Sequence, residues 1–332
     1  MRPVAAAVVL GLLAGAWAQV PPSNFPPVSR PFCDSSEVEE AAFVGQDYIN
    51  AQHTYGYKYI LNRIEDVKVT KLPDGEELYS MELDLLETKC HVLDPTPLAN
   101  CTVRPRHEVA IEADCDVLVK KIAGDVSPLA FKCKSKPDSR EELCVGCIEL
   151  LPLNDTDALQ VVHTSLALYN NKSTDNSTFE LLEVGRMTSQ IVAGGAKIRV
   201  EYVVLETTCN ASGSCISLNF TMARRGFCTG SGTPAELYVD CDIVEAGAAP
   251  MDTSRKATTS HPSSSGPGHK HHRLIRLHDP SASGLLSESQ ESAEVPIVKR
   301  QLPPDVEGTV IPEIPLAPGI QLCPGKIRHF ST

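Results

Sequence analysis

The chain has 332 residues, a formal net charge of −12 at pH 7 and twelve cysteines. The negative charge argues against a nucleic acid partner and favours cations or basic surfaces. After the N-terminal segment, no stretch approaches the roughly 18 apolar residues of a membrane-spanning helix, so no membrane anchor is predicted. The sequence contains no nucleophile elbow, phosphate loop or HExxH motif, and we expect that the protein is not an enzyme.

The N-terminal segment has the three parts of a secretory signal. Arg2 precedes the apolar run 4–16, and Ala16, Trp17 and Ala18 form a small-x-small cleavage site. We therefore predict that residues 1–18 are a signal peptide and that the mature chain is secreted into the extracellular fluid.

An even number of cysteines in a secreted chain favours disulfides. The spacing suggests five local pairs and leaves Cys33 and Cys323, which would close almost the whole mature chain into one ring if every cysteine pairs. Cys144 and Cys147 could also indicate redox or zinc chemistry, but an oxidising compartment favours a structural disulfide. The five local pairs are Cys90–Cys101, Cys115–Cys133, Cys144–Cys147, Cys209–Cys215 and Cys228–Cys241.

An internal repeat divides the chain. The segment 85–90, with Leu86, Glu87 and Thr88, recurs 119 positions later as residues 204–209. A repeat this long is a duplicated domain rather than a solenoid unit. We place domain 1 at residues 28–134 and domain 2 at residues 145–249. Residues 250–332 are rich in Pro, Ser and His without periodicity, which predicts a disordered tail tethered by Cys323.

Each copy begins with the pattern of an amphipathic helix, in which apolar residues recur at i, i+3, i+4 and i+7. Helix-capping candidates precede both helices: Asp34, Ser35 or Ser36 in copy one, and Asp155 or Thr156 in copy two. The segments that follow alternate apolar and polar residues, as strands with one packed and one solvated face do. One helix against an antiparallel sheet predicts an α+β fold. The apolar helix positions are Val38, Ala41, Ala42, Gly45, Tyr48 and Ile49, and then Ala158, Val161, Val162, Ser165 and Tyr169.

Three segments carry a resemblance to a known family: residues 40–50 with 56–58, residues 86–97, and residues 323–330. Through them the chain resembles the fetuin family of the cystatin superfamily. The resemblance implies two tandem cystatin-like domains, six disulfides including Cys33–Cys323, and a plasma glycoprotein. It also implies binding of calcium phosphate mineral, inhibition of ectopic calcification and regulation of bone mineralisation. The insulin receptor and transforming growth factor β ligands, the latter through the loop 90–101, are further partners that it implies.

Acidic residues on predicted strands are the candidate mineral site. Same-face carboxylates lie about 7 Å apart along a strand, and neighbouring strands lie about 4.8 Å apart. If the strands are neighbours, they form a flat grid of the hard oxygen ligands that calcium prefers. The alternative is an ordinary solvated sheet face. The candidates are Glu82, Asp84, Glu108, Glu112, Asp114 and Asp116. No cofactor is predicted, and calcium is expected only as part of calcium phosphate.

A second candidate site has the Q-x-V-x-G pattern by which inhibitory cystatins block papain-like proteases, and it suggests a cysteine protease inhibitor as the alternative function. It consists of Gln190, Ile191, Val192, Ala193 and Gly194. The hairpin could equally be a relic without useful affinity. Inhibitory cystatins have a second hairpin that contains a tryptophan, and the only tryptophan of this chain is Trp17 in the predicted signal peptide. Fetuins that block astacin-type metalloproteases carry an aspartate in the linker where this chain has Val145 and Gly146, which argues against that activity.

Several modification sites are also predicted. Six N-x-Ser/Thr sequons begin at Asn100, Asn154, Asn171, Asn176, Asn210 and Asn219. Ser139, Ser289 and Ser292 fit the Ser-x-Glu pattern of secretory-pathway phosphorylation, and Lys299 with Arg300 is a dibasic processing site. The tail histidines, His261, His269, His271, His272 and His278, could bind a transition metal but are more simply incidental.

Overall fold

The computed structural model describes residues 27–137, 146–172, 177–209, 215–218, 222–233, 236–247, 277–278 and 323–330. No helix within these ranges is both long and apolar enough to cross a membrane. Several predicted features lie outside the described residues: the signal peptide 1–18, Cys144, Val145, Ser139, Ser289, Ser292, Lys299, Arg300, Asn176, Asn210, Asn219, His261, His269, His271 and His272.

Domain 1 is one long helix against an antiparallel sheet of strand order β1-β2-β3-β4-β5-β12, in which β12 is the two-residue strand Leu277–His278. The buried stripe of the helix includes Val38, Ala42 and Ile49, as the periodicity predicts. Ser35 is the N-cap but makes no side-chain cap hydrogen bond. The elements are β1 (Val28–Ser29), α1 (Ser36–Gln52), β2 (Tyr57–Lys71), β3 (Glu77–His91), β4 (Ile111–Ile122) and β5 (Asp125–Pro137), with 3₁₀ turns at Leu98–Asn100 and Arg106–Glu108.

Domain 2 repeats this plan with strand order β11-β10-β8-β7-β6, and β9 pairs with β8. The Asp155 carboxylate caps its helix by accepting a hydrogen bond from the Ala158 amide at 2.9 Å, as predicted from sequence. The elements are β6 (Ile148–Leu150), α2 (Thr156–Lys172), β7 (Thr178–Val192), β8 (Gly195–Cys209), β9 (Cys215–Ser217), β10 (Arg225–Thr233) and β11 (Glu236–Val244). The predicted α+β class is confirmed.

Disulfides connect strands within each domain and also join the two ends of the chain. The structure contains Cys33–Cys323, Cys90–Cys101, Cys115–Cys133 and Cys228–Cys241. Cys147 is also disulfide-bonded. Cys209 and Cys215 are register partners in the β8–β9 ladder.

The described parts of the predicted tail are attached to domain 1. Strand β12 (Leu277–His278) pairs with β5. Residues 323–330 lie along β2, where the Gly325 amide donates to the Ile64 carbonyl and the Arg328 amide donates to the Asn62 carbonyl. Within the predicted disordered tail, these two short segments are ordered because their backbone groups complete hydrogen bonds at strand edges.

A buried ion cluster joins the two domains. Arg186 of domain 2 donates to both Glu87 carboxylate oxygens at 3.0 and 3.1 Å, and Arg104 of domain 1 donates to both oxygens of Glu201 at 2.8 and 3.1 Å. The Arg104 and Arg186 side chains are only 1% and 2% exposed. The Tyr57 hydroxyl also donates to Glu201, at 2.6 Å. Each arginine therefore bonds a carboxylate of the other domain.

The electrostatics of Glu201 reflect this cluster. Burial alone would raise the pKa of Glu201, but the charge and hydrogen bonds of Arg104 outweigh it, and the Tyr57 hydroxyl adds a further bond. The result is a pKa of about 2, well below the ordinary 4.5. The ionised Glu201 carboxylate therefore stabilises the folded chain at pH values above 4.5, the ordinary pKa of glutamate. This contribution is lost as the pH falls towards 2.

We expect Arg186→Met to lower the free energy of unfolding by about 3–5 kcal/mol, because it removes one partner of a buried ion pair. The substitution also leaves the Glu108 and Val109 carbonyls without the donor they have in the native chain. Denaturant unfolding with the disulfides intact measures the change. Arg30→Met, which breaks the exposed Arg30–Asp66 pair, is the matched control and should cost less than about 1 kcal/mol. Equal costs for the two variants would contradict a stabilising role for the domain junction.

Candidate functional site

The register of β3 and β4 brings four of the predicted acidic residues together. Glu82 lies opposite Asp116, and Asp84 lies opposite Asp114. The intervening Leu83 and Cys115 are fully buried in the core cluster that contains the apolar stripe of α1. Because side chains alternate along a strand, the four carboxylates lie on the other face of the sheet, away from α1. We call this group the acidic face: Glu82, Asp84, Asp114 and Asp116.

Strand β2 adds two carboxylates that the sequence analysis missed. Asp66 is the register partner of Glu82, and the charge of Glu65 acts on the carboxyl of Glu82. The ladder has register shifts between Leu61 and Arg63 and between Ile64 and Asp66. Bulges such as these break the two-residue alternation, so a strict pattern search along β2 does not find its acids. Both are ion-paired, Asp66 with Arg30 at 2.6 Å and Glu65 with Arg63 at 3.6 Å, so they extend the acidic face as members of salt bridges.

Two of the predicted site residues do not belong to the accessible acidic face. The prediction that Glu108 lies on the same strand as Asp114 is wrong: Glu108 ends the 3₁₀ turn Arg106–Glu108 and forms ion pairs with Lys89 and Arg104. Val109, with a φ of 57°, turns the chain before β4 begins. Glu112 does lie on β4, but it is only 7% exposed and lies 3.4 Å from Arg106.

Within the acidic face, exposure differs between the members. Asp114 is exposed, and Glu82 and Asp116 are half-buried. Asp84 is only 4% exposed and accepts a hydrogen bond from the Asn62 amide at 2.8 Å. The same Asn62 amide donates to the Phe330 carbonyl at 2.9 Å, so the C-terminal segment lies beside the acidic face. Glu82, Asp114 and Asp116 are therefore the carboxylates that a ligand can reach.

Burial and the crowding of negative charge both act on the pKa values of the acidic face. Burial, and then the charges of Asp116 and Asp114, raise the pKa of Glu82 above its ordinary value. Burial also raises the pKa of Asp84, although the Asn62 hydrogen bond opposes the shift. The ionised carboxylates repel each other at neutral pH, and a bound cation would relieve that repulsion.

The arrangement is a surface rather than a cage. Among the described residues, no group of three or more His, Cys, Asp or Glu side chains converges on a position that could hold a metal ion. A protein site that binds one Ca²⁺ ion tightly supplies six to eight oxygens around it. The acidic face instead presents separate carboxylates at the spacings of a β-sheet, which suits an extended array of cations.

The Q-x-V-x-G segment forms the tip between β7 and β8. Ile191 is 68% exposed, and Gly194 has a φ of +118°, a conformation that L side chains rarely adopt. The Gln190 amide donates to the carbonyl of Gly146 at 3.0 Å, so the start of domain 2 lies beside the tip. The geometry is that of a short apolar loop projecting from the end of the sheet.

The structure also places three predicted glycosylation sites. Asn100 lies in the 3₁₀ turn Leu98–Asn100, Asn154 precedes α2, and Asn171 lies in the last turn of α2. All three are exposed. His278 lies in β12, while the other tail histidines lie outside the described residues.

Two tandem domains, each with one long helix on an antiparallel sheet and a disulfide between late strands, define a multi-domain cystatin. A family model described as "Cystatin domain" matches residues 146–233. Alpha-2-HS-glycoprotein of Sus scrofa is 35% identical, with 91% of this chain and 92% of the relative covered. The Bos taurus protein of the same name is 33% identical over 97% of this chain and 98% of its own length. The chain belongs to the fetuin family, together with these alpha-2-HS-glycoproteins, and the predicted resemblance is confirmed.

Solved structures agree with this assignment. Mouse fetuin-B in complex with crayfish astacin is 27% identical with a TM-score of 0.57, covering 67% of this chain and 71% of that one. The inhibitory complex of human meprin beta with mouse fetuin-B gives 28% identity and a TM-score of 0.57, covering 66% and 74%. The likeness extends over both domains of the present chain.

We expect Glu82→Gln to stabilise the protein slightly at pH 7. The folded chain keeps Glu82 protonated to a higher pH than the unfolded chain does, so ionisation of this carboxyl costs stability above its ordinary pKa of 4.5. Solvent screening keeps the gain below about 1 kcal/mol. Denaturant unfolding at pH 7 and pH 3 measures it, and the gain should vanish at pH 3, where both states are protonated. A loss of stability at pH 7 would contradict the raised pKa of Glu82.

Proposed function

We propose that the protein binds calcium phosphate mineral through the acidic face of domain 1 and thereby inhibits ectopic calcification in the extracellular fluid. The observation that carries the proposal is the β3–β4 register, in which Glu82 lies opposite Asp116 and Asp84 lies opposite Asp114. The family resemblance implies the same role. The disulfides fit an oxidising compartment, which supports secretion.

The chemistry of the face supports a solid rather than a free ion as ligand. Carboxylate oxygens are the hard ligands that Ca²⁺ prefers. The cross-strand spacing of about 4.8 Å and the same-face spacing of about 7 Å along a strand are of the order of the distances between ions in a crystal lattice. Several weak contacts made at once by a rigid surface give a high combined affinity.

The sheet also keeps the carboxylates in place. Cys115 and Cys133 are register partners joined by a disulfide, and this bond fixes β4 against β5. Fully buried Leu83 and Val117 hold the opposite face against the core. The carboxylates are therefore ordered before a ligand binds, which lowers the entropic cost of binding.

Replacing three carboxylates of the acidic face should remove most mineral binding. The variant is Glu82→Gln, Asp114→Asn and Asp116→Asn. Each substitution keeps the size of the side chain and removes one negative charge, so we expect at least about a tenfold loss of affinity for calcium phosphate particles, equivalent to about 1.4 kcal/mol. Turbidity of a supersaturated calcium phosphate solution gives a second readout, and precipitation should begin earlier.

The matched control removes the same charge from exposed acids of domain 2, through Glu236→Gln, Asp240→Asn and Asp242→Asn on β11. This variant should bind mineral as the wild type does. Equal losses for both variants would mean that net charge, and not the acidic face, governs binding. Wild-type binding by the domain 1 variant would rule out the acidic face.

A protease is the second candidate partner, and the exposed tip between β7 and β8 favours it. Ile191 projects its side chain into solvent at the position where the Q-x-V-x-G pattern predicts contact with a papain-like protease. The relatives in the two solved complexes bind metalloproteases. The present chain has no aspartate between Cys144 and Cys147, so a cysteine protease fits its residues better than an astacin-type enzyme does.

We expect Ile191→Asp to weaken inhibition of papain about tenfold or more, because a buried isoleucine contributes about 1.5–3 kcal/mol. Ile216→Asp is the matched control, since Ile216 is 70% exposed in the same domain, away from the tip. Steady-state inhibition assays compare the two variants. Equal effects, or no inhibition by the wild type, would eliminate the protease proposal and leave the mineral proposal unaffected.

A further inference from the structure

A row of lysines runs beside the acidic face on strand β5. Lys132 is the register partner of Asp116, Lys134 of Asp114 and Lys136 of Glu112. The three lysines are exposed, and the residues between them, Phe131, Cys133 and Ser135, lie at the alternate positions. Since the register partners on β4 share a face with them, the lysine ammonium groups line one side of the acidic face, about one strand spacing away.

Calcium binding alone does not account for this row. A cation beside a carboxylate competes with Ca²⁺ for its charge, so the lysines lower the affinity of the acidic face for the free ion. Their influence reaches across β4, because the charge of Lys136 lowers the pKa of Asp84 against the larger raising effect of burial. The face therefore carries fixed charges of both signs in adjacent rows.

A surface of calcium phosphate also carries both signs in adjacent positions. Its calcium ions attract carboxylates, and its phosphate oxygens attract ammonium groups, for which lysine acts as a point charge with three donors. We propose that Lys132, Lys134 and Lys136 bind the phosphate ions of the mineral, so that the site recognises the lattice through both of its ions. The inference rests on the proposed function and names the second half of the same site.

The lysine row has a simpler explanation against which the proposal is tested. Opposite charges across a ladder stabilise a sheet by about 0.2–1 kcal/mol per pair. Under that explanation, removing the lysines makes the net charge of this surface more negative and strengthens its binding to calcium-rich surfaces. Under the proposal, removing them weakens binding. The two explanations therefore predict changes of opposite sign.

The experiment uses the full chain with Lys132→Gln, Lys134→Gln and Lys136→Gln. Its matched control removes the same charge at lysines that are not register partners of the acidic face, through Lys121→Gln at the far end of β4 and Lys172→Gln and Lys197→Gln in domain 2. Binding to calcium phosphate particles and binding of Ca²⁺ alone, by titration calorimetry, are the two readouts. We expect about a tenfold loss of affinity for the particles, with Ca²⁺ binding unchanged or stronger, and no loss in the control. Circular dichroism verifies that each variant is folded.

A lysine-to-arginine variant at the same three positions provides the rescue, because guanidinium groups also bind phosphate. It should bind the particles as the wild type does. Wild-type or tighter binding by the glutamine variant, together with a loss in the carboxylate variant, would overturn the lysine inference and keep the proposed function. Wild-type binding by both the glutamine and the carboxylate variants would overturn the two proposals together.

Discussion

The register between β3, β4 and β5 is the constraint on which the functional surface depends. Alternation sends Leu83, Cys115 and Phe131 into the core, and the same alternation sends Glu82 and Asp116 to the other face. A slip of one residue would bury the carboxylates and expose the core, at a cost far above the stability of a domain. The hydrophobic core therefore fixes the positions of charges that themselves oppose folding, as the raised pKa of Glu82 shows.

The ion cluster at the domain junction uses charge in the opposite way. There, Glu87, Arg104 and Arg186 are buried, Glu201 is half-buried, the four are mutually paired, and the pKa of Glu201 is held at about 2. Glu87 belongs to the repeated segment, and its counterpart Glu206 pairs within domain 2 with Arg224 at 3.0 Å. The duplicated glutamate therefore forms an ion pair between the domains in the first copy and an ion pair within domain 2 in the second copy. Paired charges hold the domains together, while the acidic face places like charges beside each other across the β3–β4 ladder.

Much of the fold could be predicted from sequence because its signals are local. Helix periodicity located α1 and α2, and the 119-residue repeat indicated the duplication. The residues that sequence missed depend on contacts distant along the chain. Bulges in β2 hid Glu65 and Asp66, the left-handed turn at Val109 removed Glu108 from the strand, and nothing local indicated that residues 323–330 would dock on β2. The roles of Arg104 and Arg186 were equally hidden, since each finds its partner in the other domain.

The central claim is that mineral contacts the acidic face of domain 1. Carboxyl footprinting tests it most directly: solvent-accessible carboxylates are labelled with a carbodiimide and an amine, with and without calcium phosphate particles, and located by mass spectrometry. The account predicts that Glu82, Asp114 and Asp116 lose labelling when the particles are bound, while Asp240 and Asp242 of domain 2 keep theirs. Unchanged labelling on domain 1, or equal protection on both domains, would contradict it.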